Sequence, residues 1–462
     1  MTDTRTEIDS MGKMEVPAEA LYGASTQRAV LNFPISGKTL PPEFIHAYGL
    51  IKKAAAETNA ELGLLDPDIA QLIARVSYEI SDGMHDSHFP IDVYQTGSGT
   101  SSNMNLNEVI ANRCQQLDAG LKIHPNDHVN LGQSSNDTFP TAIHISAAVA
   151  IGKALIPALD GLAESLTSKA EAFHGVLKIG RTHLTDATPV RLGQEFGGWA
   201  QQARNSSRRA RKALDALMEL PLGGTAVGTG LNTHADFAGK AIARIALGTG
   251  LPFREAENHF EAQSAKDACV EAHGLLATIA VSLHKIASDI RLLSSGPRCG
   301  IGELTLPATQ PGSSIMPGKV NPVIAEAVTM VAARVAGNQT TLTWCGTGGF
   351  LELNVSMPLL AACLLESIEL LANVAVVFRE RCVDGIQANE DRCGELIELS
   401  LSMVTALAPR IGYDRAAAIA KESVNSGKTV RELCEERLSE LGLTPAELSE
   451  LLDPARMSGS GC

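Results

Sequence analysis

The sequence predicts an all-α protein organised around a bundle of long helices. Apolar residues recur at alternating spacings of three and four through residues 261–294, which is typical of one long helix. Comparable patterns run through residues 141–171, 189–219 and 353–381, and they lack the strict alternation of a half-buried strand. Because helices of this length pack along one another, we expect a helical bundle at the centre of the chain.

The lengths of the predicted helices change twice along the chain. The length of 462 residues favours about three domains. We predict an N-terminal helical domain with polar loops, a central bundle and a small C-terminal helical domain, at residues 1–139, 140–389 and 390–462. In the last of these, Thr444 and Pro445 predict the capped start of a short helix. The central helices present many apolar faces, so we expect copies of the chain to associate.

Charge and composition argue against several classes of protein. The formal net charge is −14, from 38 basic and 52 acidic residues, which argues against nucleic acid or an anionic membrane as a partner. The sequence contains no run of eighteen uncharged apolar residues, and its acidic first ten residues resemble no targeting peptide. We therefore expect a cytoplasmic protein without a membrane span. The nine cysteines are scattered and never form a CxxC pair, so we expect reduced thiols.

Four polar loops, each followed by a helical pattern, are the candidate binding elements. Their polar residues are Ser98 and Thr100; Ser134, Ser135 and Asn136; Thr182 and His183; and Ser313, Ser314, Lys319 and Asn321. One such loop is ordinary helix capping. Four of them, in a chain otherwise rich in Ala and Leu, favour loop ends gathered around a small polyanion, which hydroxyls and first-turn amides can bind.

The loop at residues 312–322 has the highest density of polar functional groups among the four loops. It supplies two hydroxyls, an ammonium and an amide among Gly and Pro residues, and a helical pattern begins at Val323. This composition suits a mobile loop that binds a carboxylate. The alternative is a glycine-rich surface loop in which Asn321 and Pro322 are only the N-cap and the first helical residue.

His183 is the candidate for proton transfer. It lies in a polar loop that we expect to connect two helices, the second starting at Thr188 and Pro189. Imidazole groups titrate near neutral pH and serve as general acids and bases, although most lone histidines are structural or merely exposed. Glu326 lies just inside the helix after the 312–322 loop, where a carboxylate also favours the helix N-terminus.

Metal and nucleotide motifs are weak in this sequence. His124 and His128 are four residues apart, but Pro125 and Asn126 interrupt a helix there and no HExxH pattern occurs. The glycine-rich residues 223–230 lack a preceding strand and a GKS/T ending, so they match neither nucleotide-binding motif. We therefore predict no metal and no cofactor, and acid–base chemistry on a small substrate.

Residues 312–322 match the pattern GSSxMPxKxNP throughout, and on this motif the chain resembles the fumarase and aspartase superfamily, most closely class II fumarate hydratases. The resemblance extends from residues 9–12, through Val16 and Pro17, to the final helices. It implies a three-domain, all-helical protomer with a central five-helix bundle. It also implies a homotetramer with a twenty-helix core, in which loops of three subunits build each active site.

Several positions separate the hydratases from their relatives. Aspartate ammonia-lyases typically have Gln where this chain has His183, Ala where it has Gly318, and Gly-Ala-Gly-Thr where it has residues 97–100. They usually read Ser-Thr-Asn-Asp where residues 133–137 read Gln-Ser-Ser-Asn-Asp. At each of these positions the chain is similar to the hydratases.

The resemblance implies reversible hydration of fumarate to L-malate, a step of the tricarboxylic acid cycle, without a metal and through an aci-carboxylate intermediate. Ser313 resembles the base at carbon, while Lys319 and Asn321 would stabilise the added negative charge. His183, held by Glu326, would handle the water. Further residues implied to surround the two carboxylates are Ser98, Thr100, Ser134, Ser135, Asn136, Thr182 and Ser314.

The family also has a second anion site near His124, Asn126 and Asp127, and that match is present. The preceding segment, residues 119–122, is short, and Asn126 and Asp127 also fit a simple turn. Both interpretations remain open.

Two other functions remain as alternatives. One is aspartate ammonia-lyase activity. The other is a catalytically silent structural protein on the same scaffold, which we would expect to have lost Ser313, His183, Lys319 or Asn321. All four residues are present.

Overall fold

The computed structural model describes residues 3–459, most of which are helical. The α-helices are α1 (Ala24–Asn32), α2 (Pro42–Glu61), α3 (Pro67–Ser81), α4 (Thr100–Leu117), α5 (Ser135–Ala150), α6 (Ile156–Ala172), α7 (Leu192–Ala216), α8 (Phe237–Thr249), α9 (His259–Ser264), α10 (Asp267–Leu293), α11 (Val323–Gly346), α12 (Met357–Arg381), α13 (Glu390–Leu399), α14 (Val404–Ile411), α15 (Tyr413–Ser426), α16 (Val430–Glu435), α17 (Leu438–Leu441), α18 (Pro445–Leu451) and α19 (Pro454–Met457). Single π-helical turns occur at Pro125–Val129 and Ile151–Leu155, and 3₁₀ turns at Asp86–His88, Val383–Gly385 and Leu401–Met403.

Every β-sheet in the described range is a pair of short strands. The antiparallel pairs are β1 (Thr4–Asp9) with β2 (Gly12–Pro17), β3 (Leu177–Thr182) with β4 (Thr185–Arg191), β7 (Leu304–Thr305) with β10 (Gln387–Ala388), and β8 (Gly349–Phe350) with β9 (Leu353–Asn354). Strands β5 (Glu219–Leu220) and β6 (Arg254–Glu255) are parallel. The predicted all-α class is therefore confirmed.

The contacts divide the chain into two compact units, each made of separate segments. The first unit contains the described residues up to Pro157, together with Ser207–Ala280 and Val331–Ala372. The second unit contains Ala158–Ser206, Val281–Met330 and the described residues from Asn373 onward. The three domains predicted at residues 1–139, 140–389 and 390–462 stay a prediction.

Two of the predicted long helices have different limits. Residues 261–294 do not form one helix, because the chain is extended at Ala265 (φ −79°, ψ 153°) between α9 and α10. Helix α5 begins at Ser135 rather than near residue 141, because Ser134 caps it. Helix limits thus follow local capping as well as apolar periodicity.

An aromatic cluster in the first unit fixes the start of α5. Helix α2 packs on α3, α5 and α8. Its Phe44 and Tyr48 meet Phe139 of α5 with ring centroids 4.6 Å and 6.2 Å apart, and all three rings are fully buried. Because aromatic rings bury large areas in defined geometries, this contact sets the position of the first turn of α5.

The C-terminal helices form an apolar cluster of their own within the second unit. Leu407, Leu433 and Leu448 are at its centre, each at most 2% exposed. The predicted cap is confirmed: the Thr444 hydroxyl accepts from the Glu447 N–H, and the Glu447 carboxylate accepts from the Thr444 N–H. This reciprocal bond fixes the start of α18.

Two helical segments, Ser135–Ala172 and Met357–Gly385, are long and apolar enough to cross a membrane by length and composition alone. Their most apolar windows are 67% and 61% buried within the protein. Core helices pass the same test, so the two segments are weak evidence for a membrane span.

We predict that acid weakens the first unit through His144 of α5. Its ring is 6% exposed, and Nδ1 donates to the Glu219 carbonyl at 2.7 Å. Burial, and then the charge of Lys266, lower the pKa of His144 to about 4. Between pH 6.5 and 4 the unfolded chain therefore binds more protons, so the free energy of unfolding should fall as pH falls, by up to about 3 kcal/mol.

Urea denaturation at a series of pH values checks this prediction. The His144→Gln variant keeps an amide that can donate to Glu219, and it should lose this part of the pH dependence. Parallel pH profiles for the two proteins would show that His144 does not contribute.

Candidate active site

In the first unit, the starts of α4 and α5 bring three hydroxyls together. Thr100 Oγ1 lies 2.8 Å from Ser98 Oγ and 2.7 Å from Ser135 Oγ. Ser135 Oγ is also 3.4 Å from the side-chain oxygen of Asn136. We call Ser98, Thr100 and Ser135 the hydroxyl cluster. Two of the four predicted polar loops thus meet, and they offer several neutral donors at one place.

Glycine at position 99 allows this approach. Its φ of 75° is left-handed, and a Cβ there would lie 2.0 Å from Cδ2 of Phe139. Gly97 is equally confined, since a Cβ would lie 1.8 Å from the Val355 carbonyl oxygen. Glycine on both sides of Ser98 therefore lets the loop pack directly on α5 and on the backbone of Val355.

We predict that Gly99→Ala lowers the free energy of unfolding by about 3 kcal/mol, since it adds both a steric clash and backbone strain. Gly63 is a matched control, because its φ is 71° but no atom lies within 4 Å of a Cβ placed there. Gly63→Ala should therefore cost only the strain, about 1 kcal/mol. Equal losses in chemical denaturation would show that Phe139 tolerates the added methyl group.

A capping box orients the second loop. The Ser134 hydroxyl accepts from the Asn136 N–H at 3.2 Å, and Asp137 accepts from the Ser134 N–H at 2.9 Å. Asp137 also accepts from the N–H groups of Gly223 and Thr225, both at 3.0 Å. Burial raises the pKa of Asp137, and these N–H donors oppose that shift. The glycine-rich residues 223–230 thus hold the α5 loop in place.

In the second unit, the 312–322 loop closes on itself. The Gly312 N–H donates to the Lys319 carbonyl at 2.9 Å, and the Asn321 side-chain amide donates to the Gly312 carbonyl at 2.6 Å. Ser313 is half-buried, whereas Lys319 and Ser314 are exposed. The loop thus presents the ammonium to solvent, while the Asn321 amide holds the two ends of the loop together.

Two backbone donors point at the Ser313 hydroxyl. Its Oγ accepts from the Ile315 N–H at 3.3 Å and from the Met316 N–H at 3.1 Å. Donors in this arrangement favour negative charge on the oxygen. The fold of the loop therefore stabilises the form of Ser313 that would act as a base.

His183 lies between two helices, α6 and α7, as predicted, but at the tip of a β-hairpin, so the predicted polar loop and the predicted helix start at Thr188 and Pro189 were wrong. His183 and Leu184 both have φ 57° and form the two-residue turn between β3 and β4, where Thr182 pairs with Thr185. Pro189 pairs with Ile179 within the hairpin and does not begin a helix. Left-handed φ at both turn residues matches the right-handed twist of the strands. The turn leaves the imidazole exposed.

A buried ionic cluster anchors this hairpin. Lys178 and Glu303 are both 0% exposed, and Lys178 Nζ lies 3.1 Å from Glu303 and 2.9 Å from Glu195. Arg181, next to Thr182, lies 3.0 Å from Glu303. Two positive and two negative groups thus compensate one another, which lowers the cost of burying them.

Comparison with known proteins places the chain in a family. It is 53% identical to the class II fumarate hydratase of Corynebacterium glutamicum over 461 residues, which covers 98% of this chain and 96% of that protein. It is 51% identical to the class II fumarate hydratase of Neisseria meningitidis, with 98% and 99% covered. The chain belongs to the class II fumarate hydratase family. The family profile "Lyase" matches residues 12–337, and "Fumarase C C-terminus" matches residues 403–459.

The fold agrees with this membership of the fumarate hydratase family. A crystal structure of recombinant class II fumarase from Schistosoma mansoni superposes with a TM-score of 0.95 at 39% identity, covering 99% of both chains. The fumarase and aspartase fold, and the lyase class, are therefore established for this member of the family.

Glu326 is the residue predicted to hold His183. Glu326 lies half-buried in the first turn of α11, where its N–H donates to the Pro322 carbonyl at 3.0 Å. Within residues 3–459, no hydrogen bond or ion pair joins Glu326 to His183. Their predicted partnership stays a prediction.

At the predicted second anion site, a histidine ring accepts from two backbone N–H groups. His124 caps the π-helical turn Pro125–Val129, and its Nδ1 accepts from the N–H groups of Asn126 at 3.3 Å and Asp127 at 3.1 Å. The same Nδ1 lies 3.2 Å from the Asp127 carboxylate. The second anion site stays a prediction.

The fold sets the surroundings of the possible metal ligands and of the cysteines, and most cysteine side chains are buried. In the described part of the chain, no group of three or more His, Cys, Asp or Glu side chains is placed to hold a metal ion. Eight cysteines are free thiols there, with Cys299 exposed and the others buried. Cys462 lies outside the described residues.

Lys52 and Asp137 contribute to the arrangement of the polar loops but were not among the predicted site residues. Lys52 follows Tyr48 by four positions on the buried face of α2, and a lysine at such a position signals a bonded, buried charge. Asp137 follows Ser134 by three positions, which is the capping-box spacing. Both signals were present in the sequence.

Proposed function

We propose that this protein reversibly hydrates fumarate to L-malate in the tricarboxylic acid cycle. The observation that carries the proposal is the match to fumarate hydratases over nearly the whole chain, with the 312–322 loop and His183 intact. The substrate class is a small dicarboxylate. The net charge of −14 supports the absence of nucleic acid and anionic membrane among its partners.

In the dehydration direction, we propose that Ser313 removes the proton from the carbon next to one carboxylate of L-malate. The electron pair moves into that carboxylate and gives an aci-carboxylate, which Lys319 and Asn321 stabilise. The electron pair then returns from the aci-carboxylate to form the carbon–carbon double bond, and the C–O bond breaks. His183 donates a proton to the departing hydroxide, so that water and fumarate are formed. The two N–H groups directed at Ser313 support its role, because they favour the alkoxide form.

The hydroxyl cluster is proposed to bind a substrate carboxylate. Its members are neutral, so they supply hydrogen bonds and orientation, and the balancing positive charge comes from Lys319. Ser134, Asn136, Thr182 and Ser314 complete the proposed set of carboxylate-binding residues. The packing of Gly99 on Phe139 supports this role, because it holds the hydroxyls in fixed positions before substrate arrives.

Incubation of the protein with fumarate in ¹⁸O-labelled water tests the proposed reaction. The product should be L-malate that carries one ¹⁸O atom in its hydroxyl group, since water supplies that oxygen. Unchanged fumarate would contradict the proposal, and mass spectrometry of the product distinguishes the two results.

We further propose a homotetramer in which three subunits contribute to each site. Two observations support it: no hydrogen bond or ion pair joins His183 to Glu326 within the described residues of one chain, and the long helices expose large apolar residues. Val281 of α10 is 69% exposed, and Met330 and Trp344 of α11 are 66% and 74% exposed. Faces of this kind are covered when protomers associate.

Subunit mixing provides a prediction for the shared site. Tetramers of Ser313→Ala chains and tetramers of His183→Asn chains should each have low malate turnover. Co-expression should restore part of the activity, because some sites then receive an intact Ser313 and an intact His183 from different chains. Activity no higher than that of the parents, or a monomer in sedimentation, would contradict shared sites.

A further inference from the structure

A fully buried ammonium connects the loops of the first unit. The side chain of Lys52, on α2, is 0% exposed, and Nζ donates to three amide oxygens. These are Oδ1 of Asn103 at 2.8 Å, Oδ1 of Asn130 at 3.0 Å and Oε1 of Gln133 at 3.0 Å. Burying a charge is costly unless its donors are bonded, and here three N–H groups meet three acceptors. The ammonium therefore holds three segments at one point.

Two of these segments carry the proposed carboxylate-binding hydroxyls. Asn103 lies one turn after Thr100 on α4, and Gln133 immediately precedes Ser134. We propose that Lys52 is a positioning residue for these hydroxyls, holding the first turn of α4 against the loop that begins α5. This inference rests on the proposed function, because Lys52 would act through side chains that bind the substrate.

Gln133 depends on Lys52 more than the other acceptors do. Oδ1 of Asn103 also accepts from the Tyr48 hydroxyl at 2.9 Å, and Oδ1 of Asn130 also accepts from the Asn103 amide at 3.1 Å. In the described part of the chain, Lys52 supplies the only donor to Oε1 of Gln133. Loss of the ammonium therefore leaves Oε1 of Gln133 without a donor, while Nε2 of Gln133 still donates to the Val129 and Leu131 carbonyls.

The protonation state of Lys52 gives the positioning role a pH dependence. In the described part of the chain, the titratable groups facing it are Asp137 of α5 and Tyr48 of its own helix. Burial lowers the pKa of Lys52 to about 7, an effect that Asp137 opposes, while burial raises the pKa of Tyr48 and keeps its hydroxyl neutral. As pH rises through 7, Lys52 loses one of its three donors, so substrate binding should weaken.

The first test replaces Lys52 with methionine, which retains the length of the side chain but has no donor. KM for L-malate should rise about tenfold with kcat nearly unchanged, because Ser313 and His183 are not altered. The matched control is Lys53→Met, which removes a partly exposed lysine at the next position of the same helix. This control should keep the wild-type KM.

Gln133→Leu provides the second test. It should also raise KM. The increase in KM of the Lys52→Met/Gln133→Leu double variant should be smaller than the product of the two single increases, because both substitutions remove the same hydrogen bond between Lys52 and Gln133. The wild-type KM should rise with pH above 7, and the Lys52→Met profile should be flatter. If Lys52→Met fails to fold, the KM of Gln133→Leu tests the inference instead. A KM for Gln133→Leu equal to that of the wild type would overturn the inference.

Hydrogen exchange separates this inference from the proposed function. The amides of residues 134–136 should exchange faster in Lys52→Met than in Lys53→Met, whichever substrate the enzyme uses. Absence of malate turnover in the wild-type protein would contradict the proposed function but not the positioning role of Lys52. Equal exchange in the two variants, or a KM for Lys52→Met equal to that of Lys53→Met, would remove the positioning role.

Discussion

Replacing Ser313 with alanine should lower the rate of L-malate dehydration about a thousandfold, the scale expected for loss of a general base. The fold should survive, because Ser313 is half-buried and, among residues 3–459, its Oγ accepts only from two N–H groups of its own loop. Initial rates of fumarate formation, followed by ultraviolet absorbance, measure the effect. The loss should be in kcat, since the base acts on bound substrate.

Ser314→Ala is the matched control for that experiment. It removes a hydroxyl from the adjacent, exposed position, which is proposed to bind a carboxylate and not to take the proton. This variant should change KM more than kcat. If Ser313→Ala retained near-normal turnover, Ser313 would not be the base, and another group would have to remove the carbon proton.

Replacing His183 with asparagine should separate two steps of the reaction. Asparagine tolerates left-handed φ, so the turn at His183 should keep its geometry. Net dehydration should fall about a hundredfold to a thousandfold, because the departing hydroxide loses its acid. Exchange of the carbon-bound proton of L-malate with solvent should be reduced less, because Ser313 still removes that proton.

Proton NMR in heavy water measures this exchange alongside net turnover. His174→Asn is a suitable control, because His174 is also exposed but lies outside the proposed site. It should change neither rate. Equal loss of exchange and dehydration in His183→Asn would contradict the division of roles between His183 and Ser313.

Much of the helical architecture could be predicted from the sequence. The start of α11 at Val323 and the cap at Thr444 were predicted correctly, because turn and capping residues act locally. The break at Ala265 was not predicted, since the apolar spacing continues through it. The His183 hairpin was also missed, because its two-residue turn contains none of the glycine, asparagine or aspartate that usually signals such a turn.

The candidate site was predictable in its residue types and less so in its geometry. The match at residues 312–322 identified the loop, and the hydroxyl density of four polar loops favoured their gathering around a small polyanion without showing which side chains meet. The contact within the hydroxyl cluster depends on Gly99 fitting against Phe139, which is a tertiary fact that local patterns do not contain. The three acceptors of Lys52 likewise come from distant parts of the sequence.

We propose that this chain releases water, and not ammonia, when it forms fumarate. The most direct measurement compares the initial rates of fumarate formation, by ultraviolet absorbance, from L-malate and from L-aspartate under the same conditions. Rapid turnover of L-malate with no detectable turnover of L-aspartate is the predicted result. Fumarate from L-aspartate at an equal or higher rate, or from neither substrate, would contradict the claim.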